Sequence, residues 1–275
     1  MKTILTLASM RIRITLRNKT FLFFSLIMPM VFFFLYGSVF AKGVPQLVTW
    51  LMGPVLSLTV MGTFWGLSMQ LVTWREQGIL RRFRLAPIPP AMMIASSLLA
   101  NYALILPTVI LELVLARYVY HVTAFGNLVS LMVLVILGIT SFGALGLIVA
   151  SVTNTMQETQ IINQLLWFAF IFVSGATIPL TSLPTIVQRI SLFLPATYLV
   201  SGLQRSMVRG AHFWQLGVEI ISLLSWAALA FIISSLLFRW EPEAKVGGRA
   251  KSWVLVAMIP FLVFGAWENV TGSRL

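Results

Sequence analysis

Long apolar blocks separated by short basic or polar stretches make up most of this chain. Six of them are long enough to cross a bilayer, which takes about 20 mostly apolar residues. They run over 21–40, 47–74, 91–118, 128–152, 161–178 and 213–238. Each block is continuous rather than alternating, so a barrel of ten-residue strands is excluded. Helices remain, because backbone in lipid must satisfy its own hydrogen bonds. The expected fold is therefore an all-α integral membrane protein with six transmembrane helices. A seventh block, 253–267, is shorter and carries Pro260 in its middle. It either crosses or lies in the interface, loosely packed. Residues 1–240 read as the transmembrane domain and 241–275 as a C-terminal extension with this short hydrophobic segment.

Ahead of the first block the periodicity changes. At 100° per residue, Lys2, Thr6, Ser9, Arg13 and Arg17 fall within an arc of about 80°. Ile4, Leu5, Leu7, Ala8, Met10, Ile12, Ile14 and Leu16 occupy the rest. This predicts an amphipathic interfacial helix on the membrane surface. Arg11 interrupts its apolar side and is expected to snorkel. The basic region is too long, and lacks a following small-residue cleavage site, for a signal peptide.

Composition agrees with the pattern. Charged residues are 9% of the 275, hydrophobic residues 59%, and the mean hydropathy is +0.96; soluble domains carry about 25% charged residues. The net charge of +12 would suggest nucleic acid in a soluble protein. Here the cations sit between apolar blocks, so they report topology and no nucleic-acid partner is expected. With the N-terminus cytoplasmic, the inner segments hold Lys2, Arg11, Arg13, Arg17 and Lys19, then Arg75, Arg81, Arg82 and Arg84, then Arg239, Lys245, Arg249 and Lys251. The outer segments hold fewer: Lys42, Arg117, Arg189, Arg205 and Arg209. There is no Cys and no Asp, all seven acids are Glu, and the two His are His121 and His212. Little is left for hydrolytic or metal chemistry, and no catalytic, metal or cofactor site is assigned.

Between the second and third blocks runs a basic loop, 75–90. Its stretch 76–85 predicts a short helix, stopped by Pro87, Pro89 and Pro90. Ile79, Leu80, Phe83 and Leu85 give it an apolar side, and Arg81, Arg82 and Arg84 its charge. Such an element suits a lever pushed by a partner; topology charge with snorkelling explains the composition equally well. Within the blocks, Glu112 and Glu219 are expensive in lipid and need a function or a partner. Glu112 stands five residues from Arg117, a poor helical match. Glu219 has no basic residue within a turn, so an Arg of 178–210 is a plausible partner for either acid. Asn163 and Gln164 are amides inside a block and also seek partners. Gly62 and Gly66, with Gly138, Ser141, Gly143 and Gly146, permit close helix packing within the chain. Stretch 178–210, broken by Pro179, Pro184 and Pro195, predicts two short amphipathic helices, 185–194 and 197–207.

The order R-E-x-G-x-L-x-R-x-R-x-x-P from Arg75 to Pro87, followed by Gly143-Ala-Leu-Gly-Leu, Ser174-Gly-Ala, Ile178-Pro-Leu, Leu183-Pro and Leu194-Pro-Ala-Thr-Tyr, resembles the permease subunits of type-2 ATP-binding-cassette exporters. The resemblance covers roughly residues 1–240; residues 241–275 depart from the family's usual ending. It implies a re-entrant outer helical hairpin before the last span. It implies a separate cytoplasmic ATPase subunit that binds the ATP, consistent with the lack of any G-x-x-x-x-G-K-[ST] here. It also implies a coupling helix at 75–86, giving ATPase contact to Arg75, Glu76, Arg81, Arg82 and Arg84, with Gly78 allowing close approach. The link 151–160 becomes a second, weaker contact.

The function expected is a permease for ATP-driven efflux, not itself an enzyme, in a bacterial or archaeal inner membrane. Six spans make half a pathway, so a second copy or a sister permease completes it. The alternative is an ATP-independent secondary transporter or channel, although neither internal repeats nor mid-membrane charges are evident. A membrane-embedded lipid enzyme finds no support in the Asp, Cys and His inventory. The substrate is not legible; an amphiphile entering from the bilayer is the expectation.

Overall fold

A computed structural model describes residues 2–17, 19–84, 89–240, 256 and 259–271 of the chain. Helix α1 is Lys2–Arg17, and α2, Lys19–Phe34, continues into a π-helical turn, Leu35–Phe40. Helices α3, Pro45–Met61, and α4, Thr63–Glu76, join at Gly62 into one apolar rod, Pro45–Glu76. Short α5, Ile79–Arg84, is followed by α6, Pro90–Val119, α7, Leu128–Val152, and α8, Met156–Val173. Next come α9, Thr185–Ser191, α10, Pro195–Arg209, α11, Gly217–Leu236, and α12, Ile259–Thr271. No strand occurs among the described residues.

Local chemistry sets the ends. Proline opens α3, α6 and α10, where its missing N–H is an orphan anyway. The Asn127 side chain caps α7 by accepting from Ser130 N at 3.1 Å, and Thr155 caps α8 by accepting from Glu158 N at 3.1 Å. Gly210, with φ +63°, closes α10 in the left-handed region.

Among the described residues four helices are long and apolar enough to cross a membrane: Pro45–Glu76, Pro90–Val119, Leu128–Val152 and Phe213–Leu236. The protein is thus a multi-pass membrane protein. The first apolar block is helical throughout, in α2 and its π-helical turn. The fifth block differs from expectation: its helix starts earlier, at Met156, and stops at Val173. Its first two turns carry Gln157, Glu158 and Gln160, and Gly175, at φ +89°, ends the helical path soon after.

The core forms around α7, which packs on α4, α11, α10 and α3. A Cβ on Gly146 would overlap the Phe64 carbonyl oxygen, so α7 and α4 touch backbone to backbone. Ser141 Oγ donates to Leu223 O at 2.8 Å, and Trp226 Nε1 returns a bond to Ser141 O at 3.2 Å. These two bonds tie α7 to α11. Helices α9 and α10 meet at 94°. Their corner is fixed by Thr197 Oγ1 donating to Ser191 O at 2.6 Å and Tyr198 OH to Leu192 O at 2.8 Å. Helix α10 is enclosed, with Ala196, Tyr198, Leu199 and Leu203 fully buried.

The described part of the last block rests one face on the bundle and leaves Leu262, Val263 and Trp267 exposed. Phe261 is fully buried, 5.0 Å from the Trp226 ring and 5.8 Å from Tyr198. Asn269 Nδ2 donates to Arg189 O at 3.4 Å. The rest of block 253–267, apart from Val256, lies outside the described residues.

Candidate functional site

The helix ends gather cations at one end of the bundle, hereafter the basic end. Trp74, Leu80 and Met93 pack there, with Ile79, Phe238 and Trp240 against them. Arg75 closes α4 and is buried. Its Nη1 donates to Ala150 O at 2.8 Å and its Nη2 to Thr153 O at 2.6 Å. The guanidinium thus holds the carbonyl end of α7, where helix orphans need donors. Glu76 Oε1 accepts from Met156 N, the first residue of α8, at 2.8 Å. Arg239 donates Nη1 to Asn154 Oδ1 at 3.0 Å and Nη2 to Thr153 O. Burial lowers the Arg239 pKa, opposed by the nearby Glu158 carboxylate. Glu158 Oε2 accepts from Asn154 N at 2.7 Å. The 151–160 link is therefore a node joining α4, α7, α8 and the residue just beyond α11.

This arrangement divides the residues expected to meet a partner. Arg75 faces inward, and Glu76, though exposed, binds the α8 N-terminus; both hold the link rather than stand free. Arg81 and Arg82 are exposed on α5, whose Leu80 is buried against Trp74 and Met93. Gly78 takes φ +68°, a value that favours glycine in the turn from α4 to α5, and the space above it is open. The side chain of Arg84, and Leu85 as a whole, lie outside the described residues. Arg239 entered the sequence reading only as topology charge. Nothing in its local pattern reveals that it folds back on Thr153.

Helix α1 lies against α6. Its buried stripe is Leu7, Ala8, Arg11 and Thr15, at helical spacing, while Leu5, Met10, Ile14 and Leu16 are exposed. Arg11 therefore does not snorkel. Its carbon Cζ lies 4.4 Å from the centre of the Trp74 ring, and burial lowers its pKa to about 9.

The polar groups inside the apolar blocks resolve individually. Glu219 is buried and pairs with Arg205 of α10, Nη1 to Oε1 at 2.6 Å, while Arg205 Nη2 donates to Gln215 O at 3.0 Å. The expectation of a basic partner from 178–210 holds for this acid. Glu112 is different: Thr59 Oγ1 donates to its Oε1 at 2.6 Å. Arg117 instead donates to the carbonyls of Val122 and Thr123, at 3.0 and 2.8 Å, in the turn after α6. Asn163 is buried and shares two bonds with Ser68 of α4, at 2.7 and 3.1 Å. Gln164, one residue on, is exposed with Ile161, Leu165, Phe168 and Phe172. The α8 aromatics divide likewise: Phe170 packs edge-on against Phe64 and Phe142, and Trp167 against Trp65.

The family described as ABC-2 type transporter matches residues 2–208. The transport permease YvfS of Bacillus subtilis is 24% identical over 237 residues, 82% of this chain and 92% of that protein. The inner membrane transport permease YhhJ of Escherichia coli is 26% identical over 170 residues, 62% of this chain and 46% of its own length. The linearmycin resistance permease protein LnrN of Bacillus subtilis is 27% identical over 175 residues, 63% of this chain and 45% of its own. The match thus takes in less than half the length of the latter two.

Proposed function

Because this chain belongs to the ABC-2 type transporter family, we propose that it is a permease subunit that forms half of an export pathway and is driven by a separate ATP-binding-cassette ATPase. The basic end is cytoplasmic, as is the N-terminus, and the pathway crosses a bacterial or archaeal plasma membrane. Six crossings follow: α2 with its π-helical turn, the α3–α4 rod, α6, α7, α8 and α11. The bent pair α9–α10 is the re-entrant hairpin at the far end. ATP binds to the partner, so this chain needs no cofactor and no catalytic residue.

The observation that carries this reading is the way α5 is mounted. Its exposed Arg81 and Arg82 present charge to a cytoplasmic partner. Its buried Leu80 rests on Trp74, and at its root Arg75 and Glu76 hold the ends of α7 and α8. A push on α5 reaches the α4, α7 and α8 ends together, because bonded helix ends shift as a unit. Arg239 adds the end of α11 to the same node.

A second copy or a sister permease completes the pathway along the exposed face of α8. Gln160 and Gln164 lie there among apolar side chains; amides in a span seek a protein partner or a wet lumen. A face that mixes amides with Phe168 and Phe172 suits an amphiphilic substrate.

The deciding experiment is co-purification. Arg81→Glu with Arg82→Glu is expected to abolish capture of the ATPase while leaving membrane insertion intact. Undiminished capture would refute α5 as the docking element.

A further inference from the structure

Arg11 has no hydrogen-bond acceptor for Nε, Nη1 or Nη2 among the described residues, although all three nitrogens are buried. Its neighbours in the seam are Leu7, Met10, Trp74 and Met93. The Trp74 ring face is the favourable contact it makes. Five N–H donors on three buried nitrogens, with no acceptor among the described residues, are expensive, by more than one ring face returns. Helix α1 carries no acid of its own. The seam leaves no space for a water-sized group, so nothing enters while α1 is seated. On its other flank α1 borders an open apolar groove of about 580 Å³ against α6, between Leu5, Ile12, Leu99 and Ile110. The helix is thus underfilled on one side and, on the other, holds a cation with no acceptor among the described residues.

We propose that α1 is a two-position element and that its second position is an anionic-lipid site. When α1 lifts off the bundle, the Arg11 guanidinium exchanges the Trp74 ring for the phosphate of a headgroup in the adjoining leaflet. A guanidinium fork fits a phosphate with two parallel bonds, and the leaflet supplies that acceptor at the depth of a surface helix. Exposed Arg13 and Arg17 of the same helix favour the same surface. Trp74 immediately precedes the Arg75–Glu76 node, so the lipid content of the leaflet acts on the element that holds α5. The leaflet named is the cytoplasmic one if the orientation proposed above holds. The exchange itself requires no ATPase.

The chain has no native Cys, so nitroxide labels can be placed at Ile14→Cys on α1, exposed and outside the seam, and at Gln77→Cys beyond α4 without background. Distances are read by double electron–electron resonance on the full chain, without ATPase, in phosphatidylcholine vesicles with or without phosphatidylglycerol. One short distance is expected in phosphatidylcholine. With phosphatidylglycerol a longer population is expected to grow, the ratio of lifted to seated helix rising about tenfold, the factor for one charge-assisted hydrogen bond. Arg11→Leu is expected to remove that response and to raise the melting temperature in detergent, because an unsatisfied buried cation is gone. Equal distance distributions in the two vesicle types overturn the proposal. So does an Arg11→Leu variant that responds like the parent, or one that melts lower. Inorganic phosphate added to phosphatidylcholine vesicles is expected to leave the distances unchanged; a shift would overturn the lipid assignment. The readout is independent of ATPase capture, so failure of either proposal leaves the other testable.

Discussion

Thr59 and Glu112 form a polar contact between α3 and α6, with Oε1 receiving a hydroxyl at 2.6 Å and Oε2 without a partner among the described residues. Thr59→Val keeps the shape and removes the donor. It is expected to lower stability by about 1–3 kcal/mol, the usual penalty for orphaning a buried polar group. Adding Glu112→Leu removes the other partner and is expected to recover most of that loss, since paired apolar replacement is nearly neutral. Unfolding midpoints in detergent for the two single variants and the double variant check this. Glu219 was the more legible of the two acids. Its lack of a basic neighbour in sequence pointed outside its own helix, and Arg205 is that partner. The Thr59 contact had no such signal, because a threonine in an apolar block looks like any small packing residue.

Among the helices, close approach is decided by backbone contact. A methyl on Gly146 meets the Phe64 carbonyl, whereas one on Gly62 meets only the Thr59 and Leu58 carbonyls, at 3.4 and 3.7 Å. Gly146→Ala is therefore expected to be destabilising by about 1–3 kcal/mol through overpacking. Gly62→Ala is expected to be tolerated, since alanine is the better helix former. Thermal denaturation of the two variants side by side separates them. Arg75 offers a second contrast, because it bonds two carbonyls at the end of α7. Lysine keeps the charge but not the fork. In the proposed complex, Arg75→Lys is expected to retain ATPase capture and lose substrate-stimulated hydrolysis, whereas the Arg81/Arg82 reversal loses capture itself. Sequence order placed all three arginines on one expected lever. The fold assigned Arg75 to the root and left Arg81 and Arg82 on the exposed face.

The whole molecule exposes apolar surface on every side that lipid or a second chain must cover. Exposed side chains include Leu5, Phe40, Tyr118, Val129, Ile161, Leu165 and Leu236. The α8 face is the part that also carries amides, so single cysteines at Ile161 or Gln164 are expected to cross-link two copies under mild oxidation. Cysteines at Leu5 or Leu236 are expected to stay monomeric. If none of the α8 positions links while other faces do, the second copy packs elsewhere. Topology is checked on the same cysteine-free background. Lys42→Cys is expected to react with an impermeant maleimide in intact cells, and Gln77→Cys only after permeabilisation.

Apolar run length and the placement of cations were enough to specify a helical, multi-pass membrane protein, because the bilayer imposes one length and one hydrogen-bonding rule on every crossing. The same patterns located α1, the short helix after Trp74, and the bent pair that follows α8. The tertiary structure alone decided which polar groups meet: Arg75 and Arg239 on Thr153, Thr59 on Glu112, Ser68 on Asn163, and Arg11 on Trp74. Helical periodicity ranks the residues on a face, but every face of a membrane helix is apolar. Which face turns inward is therefore set by close packing with distant segments, as when α1 buries the stripe that contains its arginine.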